Sequence, residues 1–144
     1  MTRNLLHLAT CTLGAIAMAC SAADACPDEQ PTRSVETGTT DQLALVYESA
    51  PWSGPLEPFP AMGSLSFKHD LGMTPKIVAT YLSFSESGTG SSSVAESAGN
   101  AALIDCVDSQ VIRVRNDTCE KHFFIRVVAM ATPGAPTDVT CSED

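Results

Sequence analysis

Basic residues are scarce in this chain. Eight lysines and arginines stand against seventeen aspartates and glutamates in 144 residues, a formal net charge of −9. Nucleic-acid phosphates need a basic patch, so this balance argues against nucleic acid as a partner. It argues equally against electrostatic adsorption to anionic lipid. Acidity of this degree serves solubility, and no stretch has the ligand spacing of an EF-hand loop. Aromatics are few: one Trp, two Tyr and five Phe. No apolar run reaches the roughly 20 residues of a membrane-spanning helix. After residue 20 no window shows a sustained helical period with caps, which points away from helical folds. Neither Cys-x-x-Cys nor a Gly-x-Ser-x-Gly elbow occurs, so two common signatures of zinc binding and of serine hydrolysis are missing.

What is present begins with the first twenty residues. Met1 to Arg3 is a short basic start, and Leu5 to Ala19 is an uncharged apolar run of about 15 residues. This is the layout of a secretory signal. Two cleavage positions fit. Ala23-Asp24-Ala25 is a small-x-small site that would leave Cys26 first, and the alternative cut falls before Cys20. The six cysteines are Cys11, Cys20, Cys26, Cys106, Cys119 and Cys141. Cleavage after Ala25 leaves four, enough for two disulfides. Cleavage before Cys20 leaves the same four only if Cys20 is modified. Without modification one thiol would stay unpaired, which exported proteins avoid. Ser21 to Thr40 is rich in Ala, Ser, Thr, Pro and acidic residues and has almost no large apolar side chain. Such a stretch cannot bury enough surface to offset the entropy of ordering it, so a flexible polar tether is expected over 20–40. Ala17-Met18-Ala19-Cys20 resembles the lipobox of bacterial lipoproteins. That resemblance implies a lipidated Cys20 as the first mature residue and a membrane partner through the lipid. With Ser21 next, it also implies outer-membrane sorting in a cell with two membranes.

Residues 41–141 are then the folded domain. Six stretches read as strands: 43–47, 65–69, 77–84, 101–107, 111–115 and 123–130. Their β-branched and aromatic residues suit a pleated, half-buried surface. Gly72 and Pro75, Asp108-Ser109 and Asn116-Asp117 punctuate them. The expected fold is all-β, a single antiparallel β-sandwich of about six strands after a signal peptide (1–19) and the tether. Residues 50–62 carry four prolines and read as a loop or crossover, pinned to the domain by Trp52 and Phe59. Residues 85–99 are Ser- and Gly-rich and read as a mobile loop.

Phe67-Lys-His-Asp-Leu-Gly-Met-Thr-Pro-Lys-Ile-Val78 resembles the H-x-L-G-x-x-P-x-x-V segment of small β-sandwich domains. These include phage tail-fibre tips and H-type-lectin-like domains. Ile112 to Asn116 and Phe124 to Val128 are similar to their closing strands. The resemblance implies a sandwich in which Gly72 and Pro75 turn the chain into a core strand and Asn116 caps a turn. It also implies trimers and sugar binding through polar and aromatic loop residues. It assigns no binding residue in this chain.

Candidate chemistry is sparse. His69 beside Asp70 has the composition of a catalytic or metal pair, but it sits at a strand end before a glycine turn, where a structural role is expected. His122 lies among charged residues and reads as a surface side chain. Cys106, Cys119 and His122 lack zinc-site spacing, and an exported chain favours disulfides. Cys26, Cys106, Cys119 and Cys141 allow three pairings. Nearness favours Cys106–Cys119 with Cys26–Cys141. In a simple meander, however, Cys106 and Cys119 face positions roughly 16 Å apart along the central strand, beyond the roughly 7 Å Cα separation of a disulfide. Asn116-Asp117-Thr118 is an N-glycosylation sequon, relevant in a eukaryote. The expectation is an exported cell-envelope protein, lipid-anchored and non-catalytic, that binds an envelope protein or glycan or serves structurally. It has no expected catalytic residue, metal or cofactor. A freely secreted lectin-like carbohydrate-binding protein is the second reading, and a hydrolase with an unrecognised site is the third.

Overall fold

Asn116 and Asp108, one at each end of a buried strand, organise the loops at the two ends of the molecule. The computed structural model describes residues 25–88, 94–136 and 140–141. The signal, the candidate cleavage sites and Cys20 lie outside the described residues, apart from Ala25. Among the described residues ten strands form two sheets. They are β1 (Arg33–Val35), β2 (Thr39–Asp41), β3 (Val46–Glu48), β4 (Glu57–Phe59) and β5 (Gly63–Lys68), followed by β6 (Ile77–Ser83), β7 (Ala95–Ser97), β8 (Leu103–Val107), β9 (Val111–Asn116) and β10 (Phe123–Met130). One sheet has the order β1-β5-β9-β8. The other has the order β2-β3-β10-β6-β7, with β4 also paired to β10. All pairings are antiparallel except β1 with β5. The all-β sandwich is as expected.

Alternation along each strand decides what is inside. On β9, Ile112, Val114 and Asn116 are buried while Arg113 and Arg115 face outward. On β10, Ile125, Val127 and Ala129 enter the core. They meet Leu65 and Phe67 from β5, Tyr47 from β3, Phe59 from β4, Leu82 from β6 and Val35 from β1. Phe124, Arg126, Val128 and Met130 lie on the opposite, outer face of β10 by the same period.

The count of six strands is corrected to ten. The four additional strands are three residues each, and three of them lie at sheet edges. An edge strand needs a partner on one side only, so it can form from polar residues that carry no hydrophobic pattern. β1 and β2 fall inside the stretch expected as tether. That stretch is held from Cys26 onward: Cys26 bonds Cys119, Gln30 N–H donates to Met62 O, and Val35 is buried beside Phe67. β4 contains Pro58, which a short peripheral strand tolerates. β7 lies in the Ser- and Gly-rich loop. The first expected strand is displaced to 46–48. Asp41 Oδ1 accepts the N–H groups of Leu43 and Ala44, closing a turn that leaves Leu43 99% exposed.

The disulfides are Cys26–Cys119 and Cys106–Cys141, with Cα separations of 4.8 and 5.9 Å. The pairing by nearness is therefore overturned. Cys106 stands opposite Arg113 in the middle of β9, whereas Cys119 lies three residues beyond its far end at Asn116. No bridge spans that interval, so each of these cysteines takes a partner from a chain tail. Each bridge contributes roughly 2–4 kcal/mol.

Candidate functional site

His69 is fully buried, and both ring nitrogens are engaged by backbone. Nδ1 accepts the Leu71 N–H at 3.2 Å, which leaves Nε2–H to donate to Asp108 O at 3.1 Å. Burial lowers its pKa from 6.5, against opposing contributions from Asp108 and Asp70. This is a neutral imidazole that locks the loop after β5 to the β8–β9 turn. The Asp108 carboxylate closes that turn: Oδ1 accepts Gln110 N–H and Val111 N–H, each at 2.7 Å, and Oδ2 accepts Cys141 N–H at 2.8 Å. Burial pushes the Asp108 pKa upward, but these N–H groups and His69 outweigh it, so the carboxyl titrates below 3.8. Asp70, the residue beside His69, is exposed and offers its backbone oxygen to Gln42. His122 is exposed and pairs with Glu120 at 2.9 Å.

At the other end of β9, Asn116 is equally buried. Its Nδ2 donates to Pro60 O and Glu120 O, and its Oδ1 accepts from the N–H and hydroxyl of Thr118. With its amide enclosed and both hydrogens used, the sequon is not open to a glycan. Cys106 and Cys119 sit in separate disulfides and are not thiolates. Among the described residues no three His, Cys, Asp or Glu side chains are grouped to hold a metal.

Two places remain as candidates. The first is a cleft of about 530 Å³ on the outer face of the β1-β5-β9-β8 sheet, lined by Arg113, Arg115, Ser64 and Cys106. Glu29 and Asp105 share it, and Asp117 pairs Arg115 at 2.7 Å. Opposite charges meet there, and the arrangement serves as a solvated ionic face.

The second is Arg126 and the loop above it. Position 126 faces outward from β10, yet its side chain is 0% exposed, because the segment between β3 and β4 folds over it. That segment is rooted at both ends. Ser49 N–H donates to Val127 O while the Ser49 hydroxyl accepts Val127 N–H, and buried Leu56 donates to Glu86 O. Between these roots Ala50 O accepts Arg126 Nε–H at 2.7 Å. The Trp52 ring lies over the guanidinium, 4.1 Å from its carbon to the ring centroid. Tyr81, directly across from Arg126 on β6, meets Trp52 edge-on at 5.2 Å. Trp52 nevertheless remains 55% exposed. Its inner face rests on the cation and its outer face is open.

The energetics of this cluster are uneven. Desolvation lowers the Arg126 pKa, opposed by Glu48 and Tyr81. The cation–π contact contributes roughly 0.5–2 kcal/mol. Nη1 and Nη2 are buried with no hydrogen-bond partner, and each orphaned charged donor costs about 1–3 kcal/mol or more. The guanidinium sits beneath the chain's single tryptophan, held by the Ala50 carbonyl. Sequence reasoning passed over Arg126, which reads as an ordinary outward position on a strand. It took Trp52 only as an anchor, a part that Trp52 plays on Arg126 and Tyr81 and that buried Phe59 shares. A lone Trp between two prolines was the available signal.

No protein-family model, curated protein or solved structure matches this chain.

Proposed function

We propose that this protein is a non-catalytic binding module of the cell envelope, exported, anchored through a lipid on Cys20, and binding its ligand at the Trp52 face. The observation that carries the binding reading is the exposed indole held in place by a buried guanidinium below and by Tyr81 at its edge. A rigid aromatic face on the surface loses little entropy when it is covered, which suits recognition. Two disulfides support export, since such bonds persist in oxidising compartments. The engagement of both His69 nitrogens by backbone supports a non-catalytic role for the strongest candidate pair. The resemblance to fibre-tip and lectin-like sandwiches belongs to the same reading.

The test has two parts. Intact mass of the protein from fractionated cells should give a membrane-bound species beginning at Cys20 and heavier by its acyl chains. Binding to isolated envelope glycans should weaken at least tenfold in Trp52→Ala with the fold preserved. Equal binding by Trp52→Ala would remove the site. A soluble species beginning at Cys26 would favour the second reading, a freely secreted lectin-like protein, which the Trp52–Tyr81 corner supports equally well.

A further inference from the structure

Cys26 is fixed at one end of the sandwich. It bonds Cys119, which lies between the end of β9 at Asn116 and the start of β10 at Phe123. The loops of that end are tied together: Asn116 Nδ2 donates to Pro60 O and Glu120 O, and Gln30 N–H donates to Met62 O. Cys20, the residue that would carry the lipid, precedes Cys26 by six positions. Six extended residues reach roughly 20 Å. β10, eight residues long, spans roughly 26 Å from this end to the other. A lipid on Cys20 would therefore hold the Cys119 end toward the bilayer. So short a leash cannot bring down the opposite end, where His69 and the Asp108 turn lie, in its place.

The side chains of the Cys119 end suit such a surface. Ser83 pairs with Phe124, so Phe84 leaves β6 at this end. Phe84 is 62% exposed, and its ring centroid lies 5.1 Å from that of Phe123. Pro27, Pro60 and Ala61 line a shallow hollow of about 200 Å³ beside Gln30 and exposed Lys121. Aromatic rings favour the headgroup level of a bilayer, and a lysine lays its stem on apolar surface while its ammonium reaches phosphate. Two carboxylates of this end are engaged within the fold: Asp117 pairs Arg115 at 2.7 Å, and Glu120 accepts the His122 N–H at 2.7 Å. Asp28 and Glu29 are exposed beside the leash, which disfavours an anionic surface and leaves a zwitterionic one. One exposed phenylalanine holds a bilayer weakly. A short leash makes the same contact intramolecular, at high effective concentration.

We propose that the Cys119 end of the sandwich docks on a zwitterionic bilayer surface, with Phe84 among the headgroups and the Asp108 turn facing away. This rests on the Cys20 anchor proposed above and adds how the domain stands on its membrane. Arg126 is three residues along β10 from Phe123, so the Trp52 face opens sideways roughly 10 Å above the headgroups and meets ligands lying close to the membrane.

The test fixes the leash chemically, so it does not depend on lipidation in the cell. The unlipidated chain beginning at Cys20 has one thiol outside the two disulfides. That thiol is coupled to a maleimide phospholipid in phosphatidylcholine vesicles with brominated acyl chains, which quench tryptophan. The reporter is a single tryptophan at the near end, in Trp52→Phe/Phe84→Trp, or at the far end, in Trp52→Phe/Leu43→Trp. Leu43 is 99% exposed in the turn before β3, whose Val46 pairs with Met130. The expected result is at least twofold quenching of the first reporter and none of the second. Inserting about 20 Gly and Ser residues between Ala25 and Cys26 should remove most of that quenching. If Phe84→Trp fails to fold, hydrogen exchange of the unmutated protein on the same vesicles takes its place, and should slow at 84 and 119–123 but not at 43. Absence of quenching at both positions, equal quenching at both, or quenching unmoved by the longer leash overturns the docking and leaves the anchor standing. An intact mass from cells that begins at Cys26 overturns the anchor, and the docking with it.

Discussion

Replacing Arg126 by Met keeps most of the side-chain volume and removes the charge. The buried orphan donors disappear with it, and buried ions replaced by apolar groups of similar size often leave a protein equally or more stable, by about 1–4 kcal/mol. The expected outcome of Arg126→Met is therefore an unchanged or raised Tm together with weaker envelope-glycan binding at the Trp52 face that Arg126 supports, read by thermal unfolding and by the binding assay used for Trp52→Ala. A purely structural Arg126 would give a lower Tm. His69 makes a different prediction. Its folded pKa lies below the ordinary 6.5, so the unfolded chain binds the proton more readily. The stability it contributes is complete above pH 6.5 and declines as pH falls from there toward the folded value. Urea unfolding at pH 8 and pH 5.5 should show lower stability at the acid value, and His69→Gln should flatten that difference. Asp108 acts in the same direction further down, below 3.8.

At the scale of strands and turns, Asn116 does the work of several caps. Asn116→Ala leaves Pro60 O, Glu120 O and the Thr118 N–H without their partner. A loss of about 2–4 kcal/mol is expected, visible as a fall in Tm of roughly 10–20 °C for a domain of this size. Asn116 and the Asp108 turn were both legible as punctuation, and β5, β6, β8, β9 and β10 as periodic apolar runs. In β5, β9 and β10 burial follows their own apolar side chains, whereas β8 is an edge strand with none of its residues fully buried. β1, β2, β4 and β7 were not legible, because a three-residue strand at an edge, or paired like β4 only to β10, takes its order from the neighbour it pairs with. Arg33-Ser34-Val35 is a strand only because Leu65, Ser66 and Phe67 lie alongside. Arg126 was hidden for a related reason. Its outward position is encoded by the period of β10, while its burial is imposed by a loop whose contacts at Ala50 and Ser49 lie 76 and 78 residues away in sequence.

Across the whole molecule, both bridges join a chain tail to the region around β9. Peptide mapping without reduction should recover Cys26 linked to Cys119 and Cys106 linked to Cys141. Removing the first bridge as Cys26→Ser/Cys119→Ser should cost about 2–5 kcal/mol and loosen β1 from β5, which hydrogen exchange at Val35 would register. The bridges also interleave, since the loops 26–119 and 106–141 overlap between 106 and 119. Tension applied at both tails crosses one bridge, runs along residues 106–119, and leaves by the other. β9 and its two turns carry the load, and most of the remaining strands hang slack on covalently closed loops. Even with every hydrogen bond broken, the distance from Cys26 to Cys141 cannot exceed roughly 60 Å in the oxidised chain, against roughly 400 Å once both bridges are reduced. Pulled at its two tails, this domain would behave as a short inextensible link.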